Sequence, residues 1–372
     1  MTFLKKAIKT LDIYLPNLRV KLDALPFDDR EKAESIVIQL FKEAGGTNLL
    51  IEKKYNGLEI SPWEAVLIQL AMGYLSPSLA IGAGMHQFSV ATLGELARQG
   101  RGMESLLLEA ISKNNLLVSS AFSEGQKANS ILASQITAKP HKKGFLVSGV
   151  KKPCSLSFDM DLLTVSVRVD PENGPAYLGV ALIHKGDAGL RVEKFWSAPF
   201  LKGSQSEAII LDQIYVPHSM LLNIDEASAY QAHINGFVWF ELLTVGSYLG
   251  MAYGLADYAD KKNRLNIELK AEVYTQLEAS ALSIKAVALD MASSVQTHSL
   301  ADILNVRYQL QKVLLEVVNR IIACLGGINY IQDNYPAYIV QTIQALGFHP
   351  PGQYAMRKSL AHWVDTGTLH MV

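Results

Sequence analysis

The sequence predicts an α+β protein in which one block of short strands separates two helical blocks. Three observations carry this. Helical periodicity dominates up to about Lys113, and near Asn115 the chain changes to short Val-, Ile- and Leu-rich runs bounded by Gly, Pro, Asp and Asn. Long amphipathic patterns return from about Leu221 to the end. Strands grouped between helical blocks, with no repeat and no low-complexity linker, do not build an alternating parallel sheet. The expected division is an N-terminal helical domain over 1–113, a middle β-domain over 114–222 and a C-terminal helical bundle over 223–372.

In the first block, DDREKAESIVIQLFKEAGG places Ile36, Val37, Leu40 and Phe41 at helical spacing and stops at Gly45-Gly46, a helix C-terminal signal. SPWEAVLIQLAMGYL opens with Ser61-Pro62, a cap followed by proline at the first helical position. SVATLGELARQG and GMESLLLEAISK continue the helical period. The strand block reads as about six strands, in NLLVSSAFSEG, GFLVSGVKKPCSLS, DLLTVSVRV, AYLGVALIHKG, GLRVEKFW and EAIILDQIYVP. The last block contains AEVYTQLEASALSIKAVALDMASSV and LADILNVRYQLQKVLLEVVNRIIACLGG, the second closed by Gly326-Gly327.

Composition excludes several function classes. Only 19% of the 372 residues are charged and 49% are hydrophobic, which predicts buried helices or an oligomer interface. A net charge of -1 argues against nucleic acid held by bulk electrostatics. Cys154 and Cys324, far apart, make neither a disulfide scaffold nor a four-cysteine zinc site, and no metal is expected. MTFLKKAIKTLDIYLP carries charges at Lys9 and Asp12 and lacks a small-residue cleavage site, so the expected location is cytoplasmic. GFVWFELLTVGSYLGMAYGLADYA, Gly236 to Ala259, is long enough to span a bilayer. Because it contains Glu241 and leads into DKKNR, it is expected to be a buried central helix.

Five segments, in order, resemble the acyl-CoA dehydrogenase family of flavoproteins. They are YNGLEIS from Tyr55, AFSEGQKANS from Ala121, VSGVKKPCSLS from Val147, FLKGSQSEAIILDQIYVP from Phe200 and CLGGINYIQDNYP from Cys324. The resemblance covers nearly the whole chain. It implies a central β-barrel-like domain, a C-terminal four-helix bundle and FAD as cofactor. It further implies an acyl thioester substrate on CoA or a carrier protein, an electron acceptor such as an electron-transfer flavoprotein, and a homodimer or homotetramer.

The resemblance also implies site residues. Ser123 stands where the family has Thr in its flavin-contacting segment, and Asn129-Ser130-Ile131 replaces Gly-Ser-Asp. Pro153-Cys154-Ser155 replaces Trp-Ile-Thr; the aromatic wall is lost, while Ser155 is expected to donate to the isoalloxazine. KNRLN, with Lys262 and Arg264, is what is left of the motif that reaches the flavin pyrophosphate, and Gly326 and Gly327 match the segment near the adenosine half.

The family's usual carboxylate base falls at Pro350 in His349-Pro350-Pro351-Gly352, so the base is absent from its usual place. Two replacements are candidates. His349 has a suitable unperturbed pKa, near ~6.5. Glu241 lies on the helix where some relatives carry their base, and a carboxylate in an apolar helix must be either paired with a Lys or Arg or used. His86, in GAGMHQFSV, is expected at the edge of the substrate cavity. Three functions stay open: α,β-oxidation of an acyl thioester, a flavin monooxygenase on the same fold, and a non-catalytic homologue.

Overall fold

A computed structural model of the chain describes residues 2–98, 102–124, 134–171, 174–223, 226–292 and 297–369. The first helical block consists of α1 (Phe3–Tyr14), α2 (Leu18–Asp23), α3 (Phe27–Glu31), α4 (Val37–Glu43), α5 (Pro62–Leu75), α6 (Pro77–Arg98) and α7 (Gly102–Asn114). The predicted cap at Ser61 is a full capping box. Its hydroxyl accepts from Glu64 N while the Glu64 carboxylate accepts from Ser61 N, with Pro62 at the first helical position. The DDREKAESIVIQLFKE stretch, expected as one helix, divides into α3 and α4. Glu31 ends α3 buried, accepting from Ser76 Oγ at 2.6 Å, Ser78 Oγ at 2.6 Å and Tyr338 Oη, and this pull interrupts the period.

Eight strands form one sheet among the described residues. They are β1 (Val118–Ala121), β2 (Thr137–His141), β3 (Gly144–Cys154), β4 (Leu162–Val169), β5 (Tyr177–His184), β6 (Leu190–Glu193), β7 (Glu207–Pro217) and β8 (Leu221–Asn223). Their order is β6-β7-β3-β2-β4-β5-β8, with β1 beside β4. Pairing is antiparallel except where β1 and β2 each lie parallel to β4. The sheet curls around its own core, which includes Val147, Leu163, Val165, Ile183 and Ile209. The two strands beyond the expected six are β2, whose sequence TAKPH lacks the apolar alternation of a strand, and the three-residue β8.

The C-terminal block comprises α8 (Glu226–Lys261), α9 (Ile267–Met291), α10 (Thr297–Gln332), α11 (Asn334–Gln344) and α12 (Gln353–Thr366). The centre of α8 is buried all round, as the apolar run with Glu241 predicts, and it packs on α5, α6, α9 and α10. Its approach to α5 is backbone on backbone. A Cβ at Gly250 would lie 2.0 Å from Leu70 O, and one at Gly73 would lie 2.1 Å from Ser247 O. Gly326, at φ 75° and ψ 159°, breaks α10 without ending it. One helix among the described residues, Ser299–Gln332, is long and apolar enough to cross a membrane by length and composition alone. That helix carries a fully buried Arg307.

Candidate functional site

The site is organised by the turn between α11 and α12. A 3-10 turn at Ala345–Phe348 runs into His349, and Pro350-Pro351 carry the chain to Gly352, which precedes α12. Prolines donate no backbone hydrogen bond, and the carbonyls of this turn must find donors elsewhere. Arg307 on α10 supplies them. Its Nη1 donates to Pro351 O at 3.4 Å, and its Nη2 donates to Leu346 O at 3.2 Å and to His349 O. Tyr308 Oη donates to Pro351 O at 2.8 Å.

The same guanidinium meets Glu241. Arg307 Nη1 to Glu241 Oε1 is 2.6 Å, and both side chains are 0% exposed. Glu241 is thus paired, the plainer of its two sequence-based readings. Its other oxygen, Oε2, has no partner among the described residues, nor does Arg307 Nε. Burial raises the Glu241 carboxyl to about 7, against the attraction of Arg307.

His349 stands on the other side of this turn. Its Nε2 lies 2.9 Å from Tyr248 Oη, and its ring meets the rings of Phe240 and Tyr248 edge-on at 5.7 and 5.5 Å. Burial first, and the Arg307 charge second, push its pKa down to about 3. At neutral pH it is an uncharged hydrogen-bonding group. Phe240 also lines a narrow crevice between α5, α6 and α8, together with Gln69, Ile81, Met85 and Thr244. This crevice is too constricted in this form for a water molecule. Gln69 is 1% exposed; its Nε2 donates to Ala80 O at 3.2 Å, while its Oε1 is an unpartnered acceptor.

His86, expected at the edge of the substrate cavity, is not among the residues that line this crevice. Its neighbours Met85 and Gly84 line the crevice, whereas His86 joins the α4–α5 connection to β1. Val118 N donates to its Nδ1 at 2.9 Å, so Nε2 carries the proton and donates to Thr47 O at 3.0 Å. Both ring nitrogens are engaged, and full burial of the side chain lowers its pKa to about 4. The physical reason is rotation: one residue along a helix turns a side chain by ~100°.

A second constellation lies where β1 meets β3. Lys152 N donates to Ser123 O at 2.9 Å and Ser123 Oγ donates to Lys152 O at 3.0 Å, so the two flavin-motif serines, Ser123 and Ser155, come to one edge of the sheet. Ser119 Oγ donates to Ser155 O at 2.6 Å. Ser155 Oγ is 2.8 Å from Ser206 Oγ, Ser206 Oγ is 2.8 Å from Ser204 Oγ, and Ser204 donates to Leu201 O at 2.7 Å. Behind this edge, buried Lys151 pairs with Glu124 at 2.6 Å and bonds Ser166 Oγ at 2.9 Å. Hydroxyls and backbone groups on such an edge suit a neutral, hydrogen-bonding heterocycle better than a charged one.

The other motif residues lie apart from these clusters. Lys262 lies over the Tyr258 ring at 5.4 Å. Arg264 N closes the end of α8 on Ala259 O at 2.9 Å, with its side chain exposed. Gly326 and Gly327 border open space. Ser130 lies outside the described residues. Sequence reasoning missed Arg307, Tyr248, Ser204 and Ser206. Arg307 had a signal: a cation in the apolar pattern LADILNVRYQL is the complement of Glu241 in its own apolar helix.

No family model matches the chain. Among curated proteins, isobutylamine N-hydroxylase of Streptomyces viridifaciens is 33% identical over an alignment of 378 positions that covers 100% of both chains. The L-prolyl-[peptidyl-carrier protein] dehydrogenase of a Serratia species is 22% identical over 265 positions, covering 68% of each. Among solved structures, FMN-bound TdsC from Paenibacillus sp. A11-2 superposes with a TM-score of 0.84 at 17% identity, covering 99% of this chain and 98% of that one. With the five motifs in order and a relative matched from end to end, the chain belongs to the acyl-CoA dehydrogenase family of flavoproteins.

Proposed function

We propose that the chain is a flavin-dependent monooxygenase that hydroxylates the nitrogen of a small primary amine. The observation that carries this reading is the Arg307–Glu241 pair beneath a turn that presents Pro350 instead of a carboxylate. Removing a proton α to a thioester needs a carboxylate free to take it. Here the carboxylate nearest the turn is bound to a guanidinium at 2.6 Å. Hydroxylation at nitrogen uses the amine lone pair as nucleophile and needs no such base. The end-to-end similarity to an amine N-hydroxylase supports the same reading.

A flavin would lie against the Ser123 and Ser155 edge, whose hydroxyls and peptide groups match a neutral ring system. A reduced flavin held there would supply the two electrons and two protons with which dioxygen gives one oxygen atom to the amine N–H and releases the other as water. The protein's own groups position and shelter the amine. Widening of the crevice, which is closed to water in this form, would bring an amine N–H to the unpartnered Gln69 Oε1 between the half-buried Met85 and Phe240, with Phe88 packed behind Phe240. The neutral His349–Tyr248 pair helps to hold the Phe240 wall, since the His349 ring packs edge-on against it. Ile328 and Ile331, 71% and 83% exposed on α10, support assembly as a homodimer or homotetramer.

The test is direct. The purified protein is mixed in air with chemically reduced FMN or FAD and isobutylamine, and the product is analysed by mass spectrometry for a hydroxylamine. A second reading, α,β-oxidation of an acyl thioester with FAD, draws on the unpartnered Glu241 Oε2 and its pKa near neutrality. Anaerobic bleaching of bound flavin by an acyl thioester, with no hydroxylamine formed in air, would establish that reading and sink the first.

A further inference from the structure

We infer that the hydroxyl chain Ser155–Ser206–Ser204 makes this protein bind the two-electron-reduced form of a flavin in preference to the oxidised form. Ser206 and Ser204 are the residues that set the preference. The inference rests on the placement of a flavin against Ser155 given above.

The argument is a proton count. A carbonyl oxygen only accepts, so the 2.7 Å contact between Ser204 Oγ and Leu201 O consumes the Ser204 proton. The 2.8 Å contact between Ser204 and Ser206 must then use the Ser206 proton. The 2.8 Å contact between Ser206 and Ser155 is left with only the Ser155 proton. Three contacts use three protons, and each proton points inward. The direction is locked, because Ser204 is 0%, Ser206 5% and Ser155 9% exposed, and water has little access to reorient the rotors. Ser119 donating to Ser155 O at 2.6 Å fixes the backbone that carries the terminal hydroxyl.

Ser155 Oγ therefore offers a ligand lone pairs and no proton. This revises the sequence-based expectation that it donates. An oxidised isoalloxazine carries one ring N–H, and its redox-active nitrogens are acceptors. Two-electron reduction converts them to donors. An acceptor-only hydroxyl against that part of the ring meets a lone pair before reduction and an N–H after it. In a buried place, the difference between an unmatched and a matched polar group amounts to about tenfold or more in affinity. A protein that must capture reduced flavin from solution is served by such a bias.

The test needs no substrate and no oxygen. FMN is titrated anaerobically into the full-length protein, once oxidised and once photoreduced, and the two dissociation constants are compared. The wild type is expected to hold the reduced form at least about tenfold more tightly, equivalent to a rise of about 30 mV in the two-electron potential. Ser206→Ala frees the Ser155 proton, and the ratio is expected to fall to near one. Ser206→Thr, which keeps the hydroxyl, is expected to restore it. Ser204→Ala frees the Ser206 proton and should lower the ratio partway, and it serves in place of Ser206→Ala should that variant fail to fold. Equal affinities in the wild type, or an unchanged ratio in Ser206→Ala and Ser204→Ala, would overturn the inference and leave the monooxygenase reading standing. Failure of both redox forms to bind would overturn both.

Discussion

Arg307 Nη1 lies 2.6 Å from Glu241 Oε1 with neither side chain exposed, and the same guanidinium holds three carbonyls of the His349 turn. One buried cation thus neutralises the apolar helix's carboxylate and suspends the turn that carries His349. Removing either partner leaves a buried charge uncompensated.

Arg307→Met is expected to lower unfolding free energy by about 3–5 kcal/mol, the usual cost of orphaning a buried ion. The double variant Arg307→Met/Glu241→Gln should recover most of that loss, because the pair is replaced by neutral groups. Urea unfolding of both variants checks this, and equal destabilisation in the two would count against the pair.

The Glu241 carboxyl rises from 4.5 to about 7 on folding. The folded state binds this proton more tightly than the unfolded one. The contribution is therefore fully present below pH 4.5 and lost as pH rises through about 7. Relative to Glu241→Gln, the wild type is expected to lose stability as pH rises across that window. Parallel stability–pH curves would refute it.

His86 gives the opposite slope. Its pKa falls from 6.5 to about 4 on folding, chiefly because burial disfavours the charged ring; protonating Nδ1 would in addition break the bond from Val118 N. Its contribution is full above pH 6.5 and is lost as pH drops through about 4. Comparing the wild type with His86→Gln between those limits should show the wild type weakening toward acid, by about 3 kcal/mol. A difference independent of pH would show that the imidazole is not held neutral by these bonds.

His349→Ala is expected to slow amine hydroxylation by up to about 10²-fold with flavin affinity unchanged, because it frees the Phe240 ring that His349 packs against and lets the amine shift. Tyr248→Phe, which removes only the partner of Nε2, should cost less. Loss of flavin binding in His349→Ala would instead place this histidine in the cofactor site.

Gly250→Ala and Gly73→Ala test the helix contact behind the site. Each introduces a Cβ about 2 Å from a carbonyl oxygen of the facing helix. Forced separation of close-packed elements costs roughly 1–3 kcal/mol, occasionally more. Melting curves unchanged from wild type would mean that α5 and α8 lie further apart than described.

Much of this protein was legible because the relevant signals are local. The Ser61-Pro62 cap, the stop at Gly45 and the apolar run of α8 depend on neighbours within a few positions, and each is where the pattern put it. The five family motifs and the missing carboxylate at Pro350 were visible for the same reason. What lies beyond local pattern was decided by tertiary structure. Glu241 and Arg307 are 66 positions apart, and Ser155 and Ser206 are 51 apart. Sequence showed that Glu241 had to be paired or used. Only the packing of α10 against α8 decided that it is paired, and by which cation. Likewise, sequence placed a hydroxyl at Ser155, but the direction of its proton depends on a carbonyl at Leu201 that reaches it through two other serines. A side chain's type is written at its own position; its charge state and its donor or acceptor role are set by groups that only folding brings within 3 Å.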